Sequence, residues 1–592
     1  MASDRPIASP QPRTRHNPAK SWVRALNAIR ILDEQPRLTL PALLHSLADT
    51  HGAATALADE HDHLTYQGLA ARASQYSHWA IAQGLGAGDV VCLMLQNCPD
   101  YVAIWLGLSY TGCAVALLNT NLPGPALVHC IDQAGPAHLI IGHGFARVLA
   151  SVTGSLPDTL KISTHGDQQL EADIATLPTQ PPVLAAPPTP RDRALLIYTS
   201  GTTGMPKAAN VTHGRIMEWS FWFAGMMNAQ ATDRLYDCLP LYHSTGGIVA
   251  VGAMLVSGGA VIIRPHFSAS RFWADIVAER CTIFQYIGEL CRYLLTTQPD
   301  APAMVHHLRL CCGNGLQGDV WARFQARFSI PQILEFYAAT EGSVSLYNVE
   351  GKPGAIGRVP AYLASRFPIA LVKYNAATDQ PLRDDNGMCI PCADDEPGEA
   401  LGKILDQPQN PARQFDGYTD KAASARKILH DVLKPGDRWF RTGDLMRRDA
   451  AGYYYFIDRA GDTFRWKGEN VSTTEVAASL RACPGITEAV VFGVPVPGHE
   501  GRAGMAALTV APDFSLDTLP AFLADTLPAY ARPVFIRICA SIPTTGTFKL
   551  QKSALQREGY GPDAHPDIIW LYDRKAGSFT QLDDPLRARI AA

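Results

Sequence analysis

A loop rich in glycine and hydroxyl residues, in the first half of the chain, has the composition that binding a polyphosphate requires. It occupies residues 199–207 and follows a short apolar run, residues 195–198, that predicts a strand. Glycines let backbone N–H groups approach phosphate oxygens closely, hydroxyls donate hydrogen bonds, and lysine adds a positive charge. The candidate contacts are Tyr198, Thr199, Ser200, Gly201, Thr202, Thr203, Gly204 and Lys207. The pattern predicts binding of a nucleoside triphosphate.

This loop is not the phosphate loop of the P-loop NTPases. In that motif the lysine directly follows a glycine and precedes a serine or threonine. Here Lys207 follows Pro206 and precedes Ala208. A short Gly/Ser/Thr string can also be a simple turn, so the interpretation needs support from elsewhere in the chain.

Four further segments with residues suited to nucleotide chemistry follow the loop in order. They are residues 239–243, 335–342, 439–445, and the pair Asp458-Arg459 with 468–470, before Lys549. Together with the loop they resemble the signature of the adenylate-forming superfamily, which includes acyl-CoA synthetases, luciferases and peptide-synthetase adenylation domains. Residues 313–321, 464–476 and 545–549 are most similar to its fatty acid transport protein and very-long-chain acyl-CoA synthetase branch. The resemblance runs from Leu43 to the C-terminus.

The resemblance implies a role for each matched residue around the nucleotide. Lys207 and the loop hydroxyls would hold the β- and γ-phosphates, and Thr340 would bond the α-phosphate. Glu341 would bind Mg²⁺, which prefers hard carboxylate oxygens. The adenine would stack on Tyr337 beside a turn made by Gly313, Asn314 and Gly315. The ribose hydroxyls would donate to Asp444, with Arg459 assisting.

The resemblance also implies the catalytic and substrate-side residues. Lys549 matches the mobile lysine that reaches the α-phosphate and the carboxylate, and Lys552 is the alternative for this role. His243 would face the carboxyl end of the substrate, unless it is a structural histidine. Gly468 would let the pantetheine arm of coenzyme A pass close to the backbone.

The implied activity is that of an ATP-dependent long-chain or very-long-chain fatty acid–CoA ligase. It would form an acyl-adenylate, release pyrophosphate and then AMP, and use ATP, Mg²⁺ and coenzyme A. Gln317, Ala338 and Ser343 depart from the usual residues of the branch, which bears on the substrate. The alternatives are a CoA ligase for a bile acid, carnitine-like or aryl acid, or a lipid-uptake protein with vestigial ligase activity. Loading of the acyl group onto a carrier protein is a further alternative, although we expect no Ser-bearing carrier domain in this chain.

Composition and hydrophobic pattern predict the architecture. The chain has 592 residues, of which 47% are hydrophobic and 18% charged, so it is long enough to form several lobes. Its 51 Lys plus Arg nearly balance 55 Asp plus Glu, which excludes a broad nucleic-acid-binding surface. Strand-like residues 90–95 and 114–118 flank a helical window, 99–110, which is typical of parallel α/β layers. We predict an α/β fold: a large N-terminal domain of layered α/β subdomains and a smaller mobile α+β C-terminal domain.

The predicted domain boundaries follow composition breaks. Residues 1–40 are predicted to form a flexible tail, 41–457 the large adenylation domain, 458–462 a hinge and 463–592 the small domain. An aromatic helix over 219–227 could line an acyl channel, or belong to the core, and Gly246-Gly247 is compatible with an open tunnel. With no long uninterrupted apolar run, we expect a cytoplasmic enzyme that contacts membranes at most peripherally. The sequence does not indicate which oligomeric state the protein adopts.

Overall fold

The computed structural model describes the chain from residue 17 to residue 591, with gaps. The described residues are 17–122, 124–167, 169–199, 205–297, 305–342, 344–376, 378–405, 414–466, 469–497, 499, 501–545, 550–561, 567–573 and 576–591. The loop residues Ser200 to Gly204, Gly468 and Lys549 lie outside them. The sequence predictions for these residues therefore stay predictions.

Helices account for much of the described chain. They are α1 Pro18–Ala28, α2 Ile31–Glu34, α3 Leu40–His51, α4 Tyr66–Ala82, α5 Pro99–Tyr110, α6 Gly124–Ala134, α7 Ala146–Val152, α8 Gln169–Ala175, α9 His213–Met227, α10 Val251–Leu255, α11 Phe272–Ala278, α12 Gly288–Thr297, α13 Gly318–Arg327, α14 Lys421–Arg426, α15 Thr473–Ala482, α16 Leu519–Thr526, α17 Ser553–Glu558 and α18 Asp584–Ala591. A π-helical segment, Thr245–Ala250, precedes α10. Among the described helices, none is both long and apolar enough to cross a bilayer.

Strands alternate with these helices through most of the chain. They are β1 Thr55–Ala58, β2 His63–Thr65, β3 Val90–Met94, β4 Ala114–Leu117, β5 His138–Gly142, β6 Lys161–His165, β7 Arg193–Thr199, β8 Lys207–Thr212, β9 Arg234–Asp237, β10 Ala260–Ile263, β11 Ile283–Ile287, β12 Leu310–Asn314, β13 Ile333–Ala338, β14 Ser345–Asn348, β15 Gly357–Arg358, β16 Ile369–Val372, β17 Tyr374–Asn375, β18 Gln380–Pro381, β19 Gly398–Lys403, β20 Ile428–His430, β21 Arg438–Arg448, β22 Tyr453–Arg459, β23 Phe464–Trp466, β24 Glu469–Val471, β25 Ile486–Pro495, β26 Arg502–Val510, β27 Phe535–Ile538, β28 Ile568–Asp573 and β29 Ser578–Gln581.

Two largely parallel sheets form the first part of the fold. One has the strand order β6-β5-β3-β4-β7-β8, with β7 and β8 antiparallel. The other has the order β14-β13-β12-β11-β9-β10-β1-β2 and is parallel from β13 to β1. Their apolar central strands are buried on both faces, as parallel sheets require. The predicted α/β layers are confirmed, and β3, α5 and β4 match the predicted elements to within one residue.

The carboxyl ends of these strands lead into the segments with candidate chemistry. Strand β7 ends at Thr199, β9 leads into residues 239–243, β12 ends at Asn314, and β13 leads into Thr340. In open α/β sheets, ligands bind in the crevice beyond the carboxyl ends of the strands. The fold therefore places the predicted nucleotide residues where such sites form.

A third sheet links the large region to the C-terminal part. Its order is β15-β22-β21-β19-β16, with β20 pairing β21. Asp444 of β21 pairs with Arg459 of β22 in this ladder, so β22 continues through Arg459. The segment 458–462 predicted as a hinge therefore contains the last two residues of β22 and the turn that begins at Ala460, and the hinge itself stays a prediction.

The C-terminal part forms a separate α+β unit. A five-stranded sheet, β25-β26-β27-β28-β29, packs with α15 to α17 around a core that runs from Phe464 to Leu582. This agrees with the predicted smaller α+β domain, and we keep the boundary at 463 as a proposal. Arg481 of α15 donates to Gln317 Oε1 at 3.2 Å, so one residue that departs from the branch pattern lies at a contact between the two parts.

The prediction of a flexible tail over residues 1–40 is wrong for residues 17–40. Helix α1 begins at Pro18, and the Asn17 side chain accepts a hydrogen bond from a backbone N–H of its first turn. Asn at the N-cap followed by Pro at the first helical position is a strong start signal. The proline-rich composition that suggested a tail therefore includes the start of a helix.

Helix α1 packs closely on α9. A Cβ on Gly225 would lie 2.5 Å from Ala25 Cα, so only glycine allows this approach. Trp22, at 1% exposure, lies among Trp222, Tyr347 and Phe367 with ring centroids within 6.1 Å. Burial of this aromatic face stabilises the docked helix.

Trp22→Ala should destabilise the large domain. We expect the free energy of unfolding to fall by about 3 kcal/mol, because the change deletes a buried indole and leaves a cavity. Val23→Ala is the matched control, since Val23 is 50% exposed and should change stability by less than about 0.5 kcal/mol. Denaturant unfolding followed by tryptophan fluorescence tests this, and equal effects from the two variants would contradict the docking role of Trp22.

Candidate active site

The predicted adenine turn ends strand β12. A Cβ on Gly313 would lie 2.1 Å from the Tyr286 carbonyl oxygen, and Gly315 has a φ of +77°, so both positions require glycine. Gly313 pairs with Glu335 of the neighbouring strand β13, near whose end Tyr337 lies. The structure thus brings the Gly313-Asn314-Gly315 turn and Tyr337 to the ends of adjacent strands.

A buried carboxyl group holds this turn from behind. Glu335 accepts hydrogen bonds from Leu316 N at 3.1 Å and from the Tyr286 hydroxyl at 2.5 Å. Burial raises the pKa of Glu335 from 4.5 to about 8, although these bonds oppose the shift. Glu335 begins the matched segment 335–342, but it was given no role, because the sequence does not show whether a glutamate inside a strand faces the core or a ligand.

This raised pKa predicts a pH dependence of stability. Between about pH 4.5 and pH 8 the folded protein keeps a proton on Glu335 that the unfolded chain has lost, so stability falls as pH rises through that window. Glu335→Gln cannot ionise and should gain stability relative to wild type over the window, by at most about 1.4 kcal/mol per pH unit.

Melting temperatures measured across this pH range test the prediction. Glu475→Gln, which removes an exposed carboxylate, is the matched control. A difference between Glu335→Gln and wild type that stays constant from acid to mildly basic pH would refute it.

The predicted adenine and ribose residues are directly bonded. The Tyr337 hydroxyl donates to Asp444 Oδ2 at 2.5 Å, and burial raises the pKa of Tyr337. Asp444 Oδ1 lies 3.6 Å from Arg459 Nε. The structure thus places Tyr337, Asp444 and Arg459 in one cluster, with the aspartate oriented from two sides.

Thr340 and Glu341 lie on the loop after β13 and are held by residues from distant parts of the chain. The Thr340 carbonyl accepts from Arg215 Nη1 at 3.0 Å, and its hydroxyl lies 3.2 Å from the Ser244 hydroxyl. Glu341 Oε1 accepts from the Tyr418 hydroxyl at 2.5 Å. Arg215, Ser244 and Tyr418 were not identified from the sequence, since each is a single polar residue outside the matched motifs.

Tyr418 connects the candidate metal carboxylate to the phosphate loop. Its side chain hydrogen-bonds Thr199, and Lys207 Nζ lies 5.8 Å from its ring centroid. Burial, and then the charge of Glu341, raise the pKa of Tyr418, so the hydroxyl keeps its proton as a donor. Thr199, Lys207 and Glu341 therefore surround one tyrosine, as a shared phosphate and Mg²⁺ site requires.

Glu341 fits the predicted Mg²⁺ chemistry. Its carboxylate is mostly buried, and within the described residues only Oε1 accepts a hydrogen bond. The second oxygen is left for a hard cation such as Mg²⁺.

The structure does not support the predicted ligand contact of the Tyr198 side chain. Its side chain lies in the core, the hydroxyl donates to the Cys130 carbonyl at 2.6 Å, and burial raises its pKa. Alternate residues of a strand face opposite sides, so Tyr198 and Thr199 cannot both point to the same ligand.

His243 lies half-buried at the start of the segment that leads to the π-helix. Its ring lies 4.7 Å from that of Tyr242, centroid to centroid. A Cβ on Gly247 would lie 2.0 Å from the Leu241 carbonyl oxygen, so this glycine serves close packing and is not evidence for an open tunnel. Trp222 of α9 is likewise buried in the core.

Lys552, the alternative to Lys549, is engaged at the turn after β22. Its Nζ lies 2.8 Å from Asp462 Oδ2 and 3.2 Å from the Thr473 hydroxyl. This arrangement gives Lys552 a local structural role.

The fold and the cluster of Tyr337, Asp444, Thr340, Glu341 and Lys207 define an adenylate-forming enzyme. Residues 44–388 match the family described as AMP-binding enzyme, and residues 475–549 match the AMP-binding enzyme C-terminal domain. The chain belongs to the AMP-binding enzyme family. It is an AMP-forming acyl-CoA synthetase that uses ATP, Mg²⁺ and coenzyme A.

Individual relatives refine this placement. The chain is 42% identical over 571 residues to long-chain fatty acid transport protein 1 of Mus musculus, covering 94% of this chain and 88% of the relative. It is 38% identical over 516 residues to a medium/long-chain fatty acid–CoA ligase of Mycobacterium tuberculosis, covering 86% and 84%. ATP-bound MatB from Rhodopseudomonas palustris superposes with a TM-score of 0.74 at 23% identity, over 88% of this chain and 99% of that one, which shows the shared fold. The predicted branch is confirmed.

Proposed function

We propose that this protein joins long-chain or very-long-chain fatty acids to coenzyme A through an acyl-adenylate. The observation that carries the proposal is the cluster of Asp444, Tyr337, Thr340, Glu341 and Lys207, which provides ribose, adenine, phosphate and metal contacts in one site. The names of the relatives at 42% and 38% identity support a fatty acyl substrate.

The reaction has two steps. A carboxylate oxygen of the acid attacks the α-phosphorus of ATP, the bond to the bridging oxygen breaks, and pyrophosphate leaves. The coenzyme A thiolate then attacks the acyl carbonyl carbon, and AMP leaves with the electron pair of the broken C–O bond. Neither step needs a nucleophile from the protein.

The residues of this chain position the reactants and stabilise charge. Asp444 accepts from the ribose hydroxyls, and Tyr337 orients Asp444 while stacking on adenine. Glu341 would hold Mg²⁺, which neutralises phosphate charge, and Lys207 adds a second positive charge at the phosphates. Fixed charges placed where negative charge accumulates are a major source of rate enhancement in such sites. We assign the α-phosphate and carboxylate contact to Lys549, from the motif that it matches.

The substrate is tested by offering the purified protein acids of increasing length. Fatty acids from medium to very long chain are mixed with ATP and Mg²⁺, with and without coenzyme A, and AMP, pyrophosphate and acyl-CoA are measured. Acyl-CoA formed from long chains confirms the proposal. Pyrophosphate release without thioester indicates another acceptor.

The same assay addresses the competing functions. Bile, carnitine-like and aryl acids are run in parallel, and turnover of one of these in place of the fatty acids would reject the fatty acyl assignment. Binding of fatty acids without any turnover would favour a lipid-uptake protein with vestigial ligase activity. We also keep a cytoplasmic location with peripheral membrane contact as a proposal, because a ligase for such acids must collect them from lipid.

A further inference from the structure

Lys427 is a lysine in the candidate site that none of the recognised motifs includes. It lies between α14 and β20, directly before the edge strand that pairs with β21. Its Nζ donates to the Thr442 carbonyl at 3.3 Å and lies 3.7 Å from the position that a Cβ on Gly443 would take. The ammonium group is therefore beside the residue that precedes Asp444.

The same lysine faces the loop that carries Glu341. Lys427 Nζ lies 5.6 Å from the centroid of the Phe440 ring, and that ring lies against Gly342, where a Cβ would come within 2.4 Å of it. One aromatic ring thus separates the lysine from the residue that follows Glu341. Lys427 is therefore near the residue that precedes Asp444 and near the loop that carries Glu341, and the charges of both carboxylates act on it.

Each carboxylate whose charge acts on Lys427 already has its own hydrogen-bond donor. Glu341 accepts from Tyr418, and Asp444 accepts from Tyr337. The third, Glu399, accepts from Arg441 at 2.8 to 3.2 Å. In the part of the chain that the structure describes, no carboxylate lies within 4.0 Å of Lys427 Nζ, so the lysine is not the partner of an ion pair there.

The lysine is therefore a half-buried cation with spare donors. An ammonium group has three N–H bonds, and one of them is used on the Thr442 carbonyl. Desolvation lowers the pKa of Lys427, and the nearby positive charge of Lys207 lowers it further, against the opposing effect of the three carboxylates. An anion bound between Lys427 and Lys207 would stabilise both charges.

The order of the residues along the site identifies that anion. Asp444 marks the ribose end and Lys207 with Glu341 marks the end of the β- and γ-phosphates. In a nucleotide, the group between these ends is the α-phosphate. We propose that Lys427 binds the α-phosphate of the nucleotide, in ATP, in the acyl-adenylate and in AMP. The inference rests on the proposed function, which supplies the roles of Asp444, Lys207 and Glu341 and the nucleotide forms of the reaction.

A pair of ligands that differ by this one phosphate tests the proposal. We expect Lys427→Met to bind adenosine within about twofold of wild type and AMP about tenfold to a hundredfold more weakly, because a bond to a charged group is lost. Lys427→Arg keeps the charge and should recover most of the AMP affinity. Lys421→Met, an exposed lysine on the same segment, is the matched control. Affinities are measured by calorimetry.

The outcomes separate a phosphate contact from a structural role. A loss of affinity that is equal for adenosine and AMP would show that Lys427 shapes the pocket, and would overturn the proposal, as would unchanged binding of both. If Lys427→Met does not fold, the test uses the affinities of Lys427→Arg for adenosine and for AMP. An equal loss of both affinities in that variant would also overturn the proposal. These binding measurements contain no acid and no coenzyme A. Their result can therefore be interpreted even if the proposed fatty acyl substrate is wrong.

Discussion

Glu341→Gln should nearly abolish adenylation while leaving the protein folded. The glutamine amide oxygen can still accept the bond from Tyr418, so the loop should keep its position. The charge that would hold Mg²⁺ is lost, and we expect the rate of ATP–pyrophosphate exchange to fall about 1,000-fold. The melting temperature should change little, which separates lost chemistry from lost structure.

Tyr418→Phe is the matched variant for this experiment. It removes the hydroxyl that orients Glu341 but leaves the carboxylate in place, so exchange should fall only about tenfold. Raising the Mg²⁺ concentration should restore part of the activity of Tyr418→Phe and none of that of Glu341→Gln. If Glu341→Gln retained most of its exchange activity, Glu341 would not be the metal ligand.

Lys549→Ala should slow formation of the adenylate by about 100-fold to 1,000-fold, since it removes the charge assigned to the α-phosphate and the carboxylate. Its effect should be confined to the first step. When the variant is given a synthetic acyl-adenylate and coenzyme A, thioester formation should stay close to that of wild type. ATP–pyrophosphate exchange and acyl-CoA formation measure the two steps separately.

Lys552→Ala is the control that the chain itself offers. Lys552 is held by Asp462 and Thr473, so its loss should lower the melting temperature but keep most of the exchange activity. If ATP–pyrophosphate exchange were lost in Lys552→Ala and kept in Lys549→Ala, Lys552 would be the catalytic lysine and Lys549 would not.

The sequence was sufficient to predict one of the strands that carry the chemistry. The apolar run 195–198 predicted a strand before the phosphate loop, and β7 ends at Thr199. The strands that lead to Asn314 and Thr340, β12 and β13, were not predicted. Tyr198 was mistaken for a ligand contact because a linear motif does not say which face of a strand a residue occupies. Its side chain is bonded to the Cys130 carbonyl instead.

Other site residues could not be predicted, because their roles arise only when distant segments meet. Tyr418 lies 77 residues from the Glu341 that it orients, and Arg215 lies 125 residues from the Thr340 carbonyl. A lone tyrosine, arginine or lysine between motifs is compatible with many surface positions. Lys427 is the clearest case, since only the neighbours of its ammonium group set it apart.

Helix α1 was missed for a different reason. Basic and proline-rich residues precede it, and their composition outweighed the single Asn17-Pro18 start signal. Its stability comes from Trp22 and Ala25 against α9, a contact that no local pattern records.

The hydroxyl contact between Ser244 and Thr340 joins the segment after His243 to the loop that leads to Glu341. In the proposed roles of His243 and Thr340, the acid and the nucleotide bind on the two sides of this hydrogen bond, so a ligand that moves one side also acts on the other. By thermodynamic linkage, the factor by which ATP changes the affinity for the acid equals the factor by which the acid changes the affinity for ATP. The order in which the two ligands bind can therefore affect the rate of assembly, but it does not alter the stability of the assembled complex.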